Sequence, residues 1–313
     1  MTRHLLSKAH VHTRWNAALP PALTVDSGDL LEMECFDSSG GQVQPSSTLE
    51  DYLQIDRGRI HTITGPVAVH GAQPGDVLEV RILQVRHQGW GWTSLVPGLG
   101  SLPGRFPDPF LFIWQLEENL TRSLAPVTLP LAPFLGIMGV APPEAGEHRT
   151  RPPGPFGGNL DVKQLVPGTT LYLPIFHPGA LFSAGDAHAA QGDGEVCING
   201  IEAPVTAEFQ LILRRDLRLD QPRAELPPAR PAVLPDRGAV AFIASAEQAM
   251  DAARDVIHHA IDFLIARLGC TPQHAYILCS VALDLKISQC VNAPMITVTG
   301  LLPKHLFPVS LVP

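Results

Sequence analysis

Two periods of apolar residues run through the chain. Period-two or short continuous apolar runs occupy Leu30–Phe36, Ile63–Val69, Val77–Leu83, Leu135–Pro142, Leu171–Phe176 and Pro204–Leu213, and each predicts a β-strand. Shorter entry strands are expected around Val11 and over Leu23–Val25, followed by a turn at Asp26–Asp29. The period changes only near the end. Ala249, Met250, Ala253, Val256, Ile257, Ala260, Ile261, Leu264 and Leu268 keep helical spacing up to Gly269, with Ser245 and Gln248 offering a capping box. Thr271-Pro272 opens a second predicted helix running to about Gln289, after which a short apolar tail follows Pro303-Lys304. Three stretches lack either period and read as long connections: Asp37–Arg59, Gly89–Phe112 with Trp90-Gly91-Trp92, and the Pro- and charge-rich Arg214–Asp236.

Composition agrees with a mainly β chain. Of 313 residues 45% are hydrophobic and 17% charged, and 27 Gly with 31 Pro supply many turns. The pattern divides the chain into a β-rich body, 1–235, and a helical C-terminal part, 236–313, packed on the same body. A formal net charge of −8 and the lack of any Lys/Arg run give no electrostatic basis for a nucleic-acid partner. No apolar run reaches the roughly 18–20 residues of a bilayer span, and Met1–His10 has no apolar signal core, so no membrane partner and a cytoplasmic location are expected. The five cysteines, Cys35, Cys197, Cys270, Cys279 and Cys290, form no C-x-x-C and suggest buried thiols rather than disulfides or a zinc knuckle. Phosphate-loop, dinucleotide and H-E-x-x-H signatures are missing. His258, His259 and His274 fall on the helices and read as surface or capping residues.

The candidate chemistry is concentrated in Phe182–Glu195, where Asp186, His188, Gln191, Asp193 and Glu195 are separated by Gly, Ala and Ser. On an extended segment Asp186 and His188 share a face and can reach one ion. Gly192 and Gly194 permit a turn that returns Asp193 or Glu195 toward it. A solvated polar turn is the competing reading, but apolar runs on both sides place the stretch at the ends of buried strands. Upstream, Asn159, Asp161 and Lys163 alternate after a Gly- and Pro-rich stretch and share one face if extended, with Asp161 and Asp186 on neighbouring strand ends. His12 and Trp15 are candidates to line a pocket.

These residues resemble the acetamidase/formamidase family of amide hydrolases. The likeness lies in His12–Trp15 before a Pro-Pro strand, Gly65-Pro66 with Gly71–Asp76, Gly154–Lys163, Pro174–Leu181, Cys279–Gln289 and above all Gly185–Glu195. It covers essentially the whole chain in order. The resemblance implies a jelly-roll-like β-sandwich with a smaller β-barrel portion and two C-terminal helices, a homo-oligomer of two or more copies, and hydrolysis of a small linear amide substrate to carboxylate and ammonia. It further implies a divalent metal, zinc first with calcium or manganese as alternatives, held by position at Asp161, Asp186 and His188. Such a metal would polarise the carbonyl and acidify a water. Glu195 is then the candidate acid–base group, Gln191 and Asn159 the candidate oxyanion donors, and His12 and Trp15 the substrate-binding pair. Two other readings stay open: an amidase with Cys197 as nucleophile, and a non-enzymatic β-sandwich binding a small ligand or Ca²⁺.

Overall fold

A computed structural model describes residues 1–226, 237–291 and 294–308. The later part of the Pro- and charge-rich connection, 227–236, and the tail beyond 308 lie outside the described residues. The chain is built mainly of strands and divides into two units that interleave along the sequence. The first takes Met1–Gln88, Pro133–His188 and Glu202–Arg230; the second takes Gly89–Ala132, Ala189–Ile201 and Pro231–Pro313. No described helix is long and apolar enough to cross a membrane.

The first unit is a β-sandwich. One sheet runs in the order Arg3–Leu6, Leu30–Cys35, Val205–Arg214, Val77–His87, Thr170–Pro174, Arg223–Glu225. The other runs Gly157–Asn159, Phe134–Gly139, Phe182–His188, Ile63–Val69, Val11–His12, with Leu23–Val25 joined parallel to Ile63–Val69. Val205–Arg214 shows why the first sheet forms: Val205, Ala207, Phe209 and Leu211 are buried while Thr206, Glu208 and Gln210 are half-buried, so one face meets the core. Phe209 and Phe182 meet edge-to-face across the sandwich with ring centroids 5.6 Å apart. Each such fully buried large side chain contributes about 1.5–3 kcal/mol of apolar transfer. Leu31, Met33, Val80 and Ile82 of one sheet and Ile63, Val67, Leu135 and Ile137 of the other belong to the same core. Three strands of the second sheet, Ile63–Val69, Phe134–Gly139 and Phe182–His188, are buried along their whole length. Polar groups placed on them are therefore held rigidly and out of water.

The second unit contains a three-stranded antiparallel sheet, Ala239–Ala246, Ile296–Pro303, Asp284–Gln289, covered by helix Ala249–Leu268. Ala252, Ala253 and Val256 of the helix pack on Val298, Phe242 and Ala244. Gly269 closes the helix in the left-handed conformation at φ 62°, as its sequence position predicts. The expected Ser245 capping box does not form: Ser245 is in the strand, and Gln248 takes the N-cap position with no side-chain cap bond. The second helix is Pro272–Ala282, capped by Thr271 Oγ1 accepting from the His274 amide at 3.2 Å. It stops short of the expected Gln289 because Asp284–Gln289 pairs with Ile296–Pro303 instead. The segment expected to be an irregular loop from Gly89 holds a second antiparallel pair, Trp90–Leu95 with Phe110–Gln115. Where the resemblance implied a smaller barrel, the strands of this unit pair, among the described residues, in open sets of two and three.

Candidate metal centre

Strand Phe182–His188 carries Asp186 and His188, and Asp161 follows two residues after strand Gly157–Asn159 ends. One ligand atom from each of Asp161, Asp186 and His188 lies within 4.8 Å of the others. Asp186 Oδ1 is 3.6 Å from His188 Nε2 and takes no hydrogen bond, although it is buried. Alternation alone does not produce this arrangement. Asp161 and Asp186 are both left-handed, at φ 49° and 51°, a conformation uncommon away from glycine. That twist, rather than a shared strand face, turns the two carboxylates together.

Gly136 makes room for them. Ladder pairs Leu135↔Ala187 and Ile137↔Gly185 set it opposite Asp186, and its carbonyl accepts the amides of Leu160 and Asp161 at 2.9 and 3.2 Å. A Cβ at position 136 would stand 2.5 Å from Asp161 Oδ1 and 2.9 Å from the Asp186 carbonyl oxygen. The space a side chain would fill holds the Asp161 carboxylate instead.

Two further groups complete the cluster, and neither was predicted from the sequence. Glu202 forms a bridge with His188, with Oε1 3.2 Å from His188 Nε2, and both side chains are 1% exposed. His61, left-handed at φ 59°, places Nε2 3.8 Å from Asp186 Oδ2. Glu202 left a trace in the sequence, an acid between Ile201 and Ala203-Pro204 where a buried apolar residue would be ordinary. Gly136 left another, a glycine inside an apolar strand. His61 ends a polar loop and left none.

The electrostatics follow from burial. The Asp161 carboxyl is pushed up to about 7, first by burial and then by the neighbouring Asp186 charge, against the pull of His188. Burial acts the same way on Asp186, but the imidazoles of His61 and His188 outweigh it and hold that carboxyl below its ordinary value. Burial disfavours a charged His188, yet Glu202 and Asp186 overcome it and raise the imidazole well above its ordinary value. Buried carboxylates with an imidazole, an Asp186 oxygen without a hydrogen bond, and a cradle kept open by Gly136 fit a divalent metal ion.

The other expected site residues are placed as follows. Asn159 pairs with Ile137 in the strand ladder, and its buried Oδ1 takes no hydrogen bond. Trp15 is 1% exposed, lies edge-to-face on Phe156 at 5.4 Å, and its Nε1 has no hydrogen-bond partner. Both ring nitrogens of His12 are engaged: Nδ1 with the Arg14 carbonyl at 2.7 Å, Nε2 with the Ser183 hydroxyl at 2.9 Å. Because the carbonyl can only accept, Nδ1 donates and the Ser183 hydroxyl donates to Nε2. Gln191 and Glu195 belong to the second unit. There Glu195 is left-handed at φ 43°, and its amide donates to the Gly192 carbonyl at 3.1 Å. The Gly192 amide in turn donates to Ser280 O at 2.7 Å. Cys197 is 2% exposed; its thiol lies 3.7 Å from the carbonyls of both Ser94 and Asn199, and its amide donates to Ser280 Oγ at 3.0 Å.

The sequence profile of the Acetamidase/Formamidase family matches residues 2–147 and 144–309. The chain belongs to that family, whose members are amide hydrolases. It is 28% identical to the formamidase of Methylophilus methylotrophus, over 61% of this chain and 60% of that one, so the match spans about three fifths of that relative's length. Among solved structures, the acetamidase of Bacillus halodurans is 33% identical with a TM-score of 0.69, covering 96% of this chain and 98% of that one. The gamma lactamase of Delftia acidovorans is 26% identical with a TM-score of 0.89, covering 97% of this chain and 91% of that one.

Proposed function

We propose that the protein hydrolyses the C–N bond of a small linear amide, of the formamide or acetamide kind, at a centre where Asp161, Asp186 and His188 hold a divalent cation. The observation that carries this reading is the convergence of those three side chains within 4.8 Å in a buried cradle of a chain belonging to an amide-hydrolase family. A cation there supplies Lewis acidity to the amide carbonyl and acidifies a water. The protein's own groups do the rest. Burial keeps bulk water from screening the carboxylates, and Glu202 beside Nε2 helps fix the His188 ring. Asn159 offers its side-chain amide as a donor to charge developing on the substrate oxygen. Glu195→Gln and Gln191→Ala test the acid–base and oxyanion roles expected of those residues. The mixed oxygen and nitrogen donor set supports zinc or manganese ahead of calcium, which prefers an all-oxygen shell.

The surroundings of Cys197 support a scaffold role over a nucleophilic one, since two carbonyls flank its buried thiol. Ammonia release from formamide, acetamide and benzamide, and ring opening of a γ-lactam, can be followed on the protein before chelation, after it, and after adding back Zn²⁺, Mn²⁺ or Ca²⁺. Turnover of a linear amide that disappears on chelation and returns with metal is expected. Turnover indifferent to chelation would overturn the metal role, and ring opening without linear-amide turnover would overturn the substrate assignment.

A further inference from the structure

We infer that strand Ala239–Ala246 is a docking edge for a second copy of this chain. Two such strands pair antiparallel about a two-fold axis at Phe242 and join the three-stranded sheets of two protomers into one.

Three observations carry it. The first is the edge itself. Ala239–Ala246 pairs with Ile296–Pro303 along its whole length, and no strand lies on its other side among the described residues. None of its eight residues is fully buried, and Ile243 is 63% exposed. The Lys304 amide donates to the Gly238 carbonyl at 2.8 Å, so residues alternating from Gly238 bond inward, and Ala239, Ala241 and Ile243 turn their amides and carbonyls outward.

The second is the contrast between the two edges of this sheet. Edge strands are ordinarily guarded against pairing by charge, proline, a bulge or short length. The opposite edge, Asp284–Gln289, is guarded twice, by the exposed Lys286 near its middle and by a register shift between Ile287 and Gln289. The run Ala-Val-Ala-Phe-Ile-Ala-Ser-Ala has no charge and no proline, and its register with its neighbour is continuous. One edge is closed to another chain, and the other is a template for one.

The third is the charge on either side of the strand. Arg237 lies two residues before it and Glu247 directly after it. Arg237 is anchored by donating to the carbonyls of Lys304 and Phe307, and Glu247 is exposed. About a two-fold axis at Phe242, Ala241 of one copy faces Ile243 of the other, and Arg237 faces Glu247 at both ends. Parallel pairing in register would set like charge on like. The charges therefore select an antiparallel, self-complementary pairing, which closes at two copies.

The test is sedimentation velocity on the full chain over a concentration series, for the wild type, Ile243→Lys, Glu247→Gln and Glu247→Arg, with circular dichroism to verify that each is folded. Concentration-dependent self-association is expected for the wild type. Ile243→Lys puts a lysine in the middle of the edge on both copies and should leave monomer where the wild type is associated. Glu247→Arg, outside the strand, sets arginine against Arg237 twice and should weaken association about 10-fold, with Glu247→Gln weaker in effect. The gap between those two variants should shrink in high salt. A wild type that stays monomeric at every concentration, whether another occupant or none covers the edge, would overturn the proposal. So would association that Ile243→Lys leaves intact, which would place the interface elsewhere, or a Glu247→Arg protein that associates as tightly as the wild type, which would refute the antiparallel register. Should Ile243→Lys fail to fold, the two Glu247 variants decide.

Discussion

Replacing Gly136 by alanine adds one methyl group at the point where the candidate metal centre is tightest. Gly136 is not among the positive-φ glycines, so alanine meets no backbone penalty and restricts the unfolded chain, a gain of about 0.4–1 kcal/mol. Against this, the new Cβ would stand 2.5 Å from Asp161 Oδ1, which must recede by about 0.9 Å to regain ordinary contact at 3.4 Å. The Asp186 carbonyl at 2.9 Å is backbone and cannot turn away as a side chain can. Overpacking of this kind costs about 1–3 kcal/mol, so a net destabilisation of about 1–2 kcal/mol is expected. The effect on metal binding is larger, because ligand distances tolerate only about 0.2 Å and a displaced carboxylate is a lost ligand. We expect Zn²⁺ affinity to fall about 100-fold or more, beyond the range seen for lost outer-shell partners. Calorimetric titration with Zn²⁺ reads the affinity, urea unfolding the stability, and ammonia release the consequence. A folded Gly136→Ala protein with wild-type Zn²⁺ affinity and turnover would refute the reasoning that the gap exists to seat Asp161.

Asp161→Asn removes one of two adjacent buried carboxylates, so the metal-free protein should gain about 1 kcal/mol, or about 2–4 °C in Tm, while Zn²⁺ affinity collapses; a Tm that drops would argue against charge repulsion in the pair. Cys197→Ala should retain turnover and cost about 1 kcal/mol in stability, and a folded but inactive variant would return the nucleophile reading to contention. Asp29 is held down to about 2 by the Thr2 amide and the His4 ring, with the Asp26 amide also donating. Its folded value lies below the unfolded one near 3.9, so its contribution is complete above about pH 4 and lost as pH falls toward 2. Asp29→Asn should flatten the stability profile over that interval, and an unchanged acid limb would contradict the assignment.

The strands of the sandwich were legible because they alternate or run apolar between turn residues, as Val205–Arg214 does. The long helix was legible from its period and from Gly269. Asp284–Gln289 was misread because Asp-Leu-Lys-Ile continues a helix-compatible run, and only its partner Ile296–Pro303, distant in sequence, makes it a strand. Trp90–Leu95 hid for the same reason. In the candidate site, Asp186 and His188 were singled out by composition and do converge with Asp161, but not by the shared strand face that their spacing suggested, since Asp186 leaves the extended conformation at φ 51°. The likeness of the expected alternation of Asn159, Asp161 and Lys163 to a strand likewise ends at Asn159, beyond which Asp161 turns left-handed. Glu202 showed only as an acid among apolar neighbours, and His61 required three-dimensional proximity, which no local pattern encodes.

The left-handed trio of His61, Asp161 and Asp186 sets stability against function at the level of the genetic search. At each of these positions glycine would relax the backbone, and mutations toward it carry a stabilising conformational component of the order of 1 kcal/mol. Selection for thermal robustness alone would therefore drift toward erasing the centre, one relaxed residue at a time. A laboratory evolution campaign that screens only for solubility or melting temperature should meet that trade-off at these three codons.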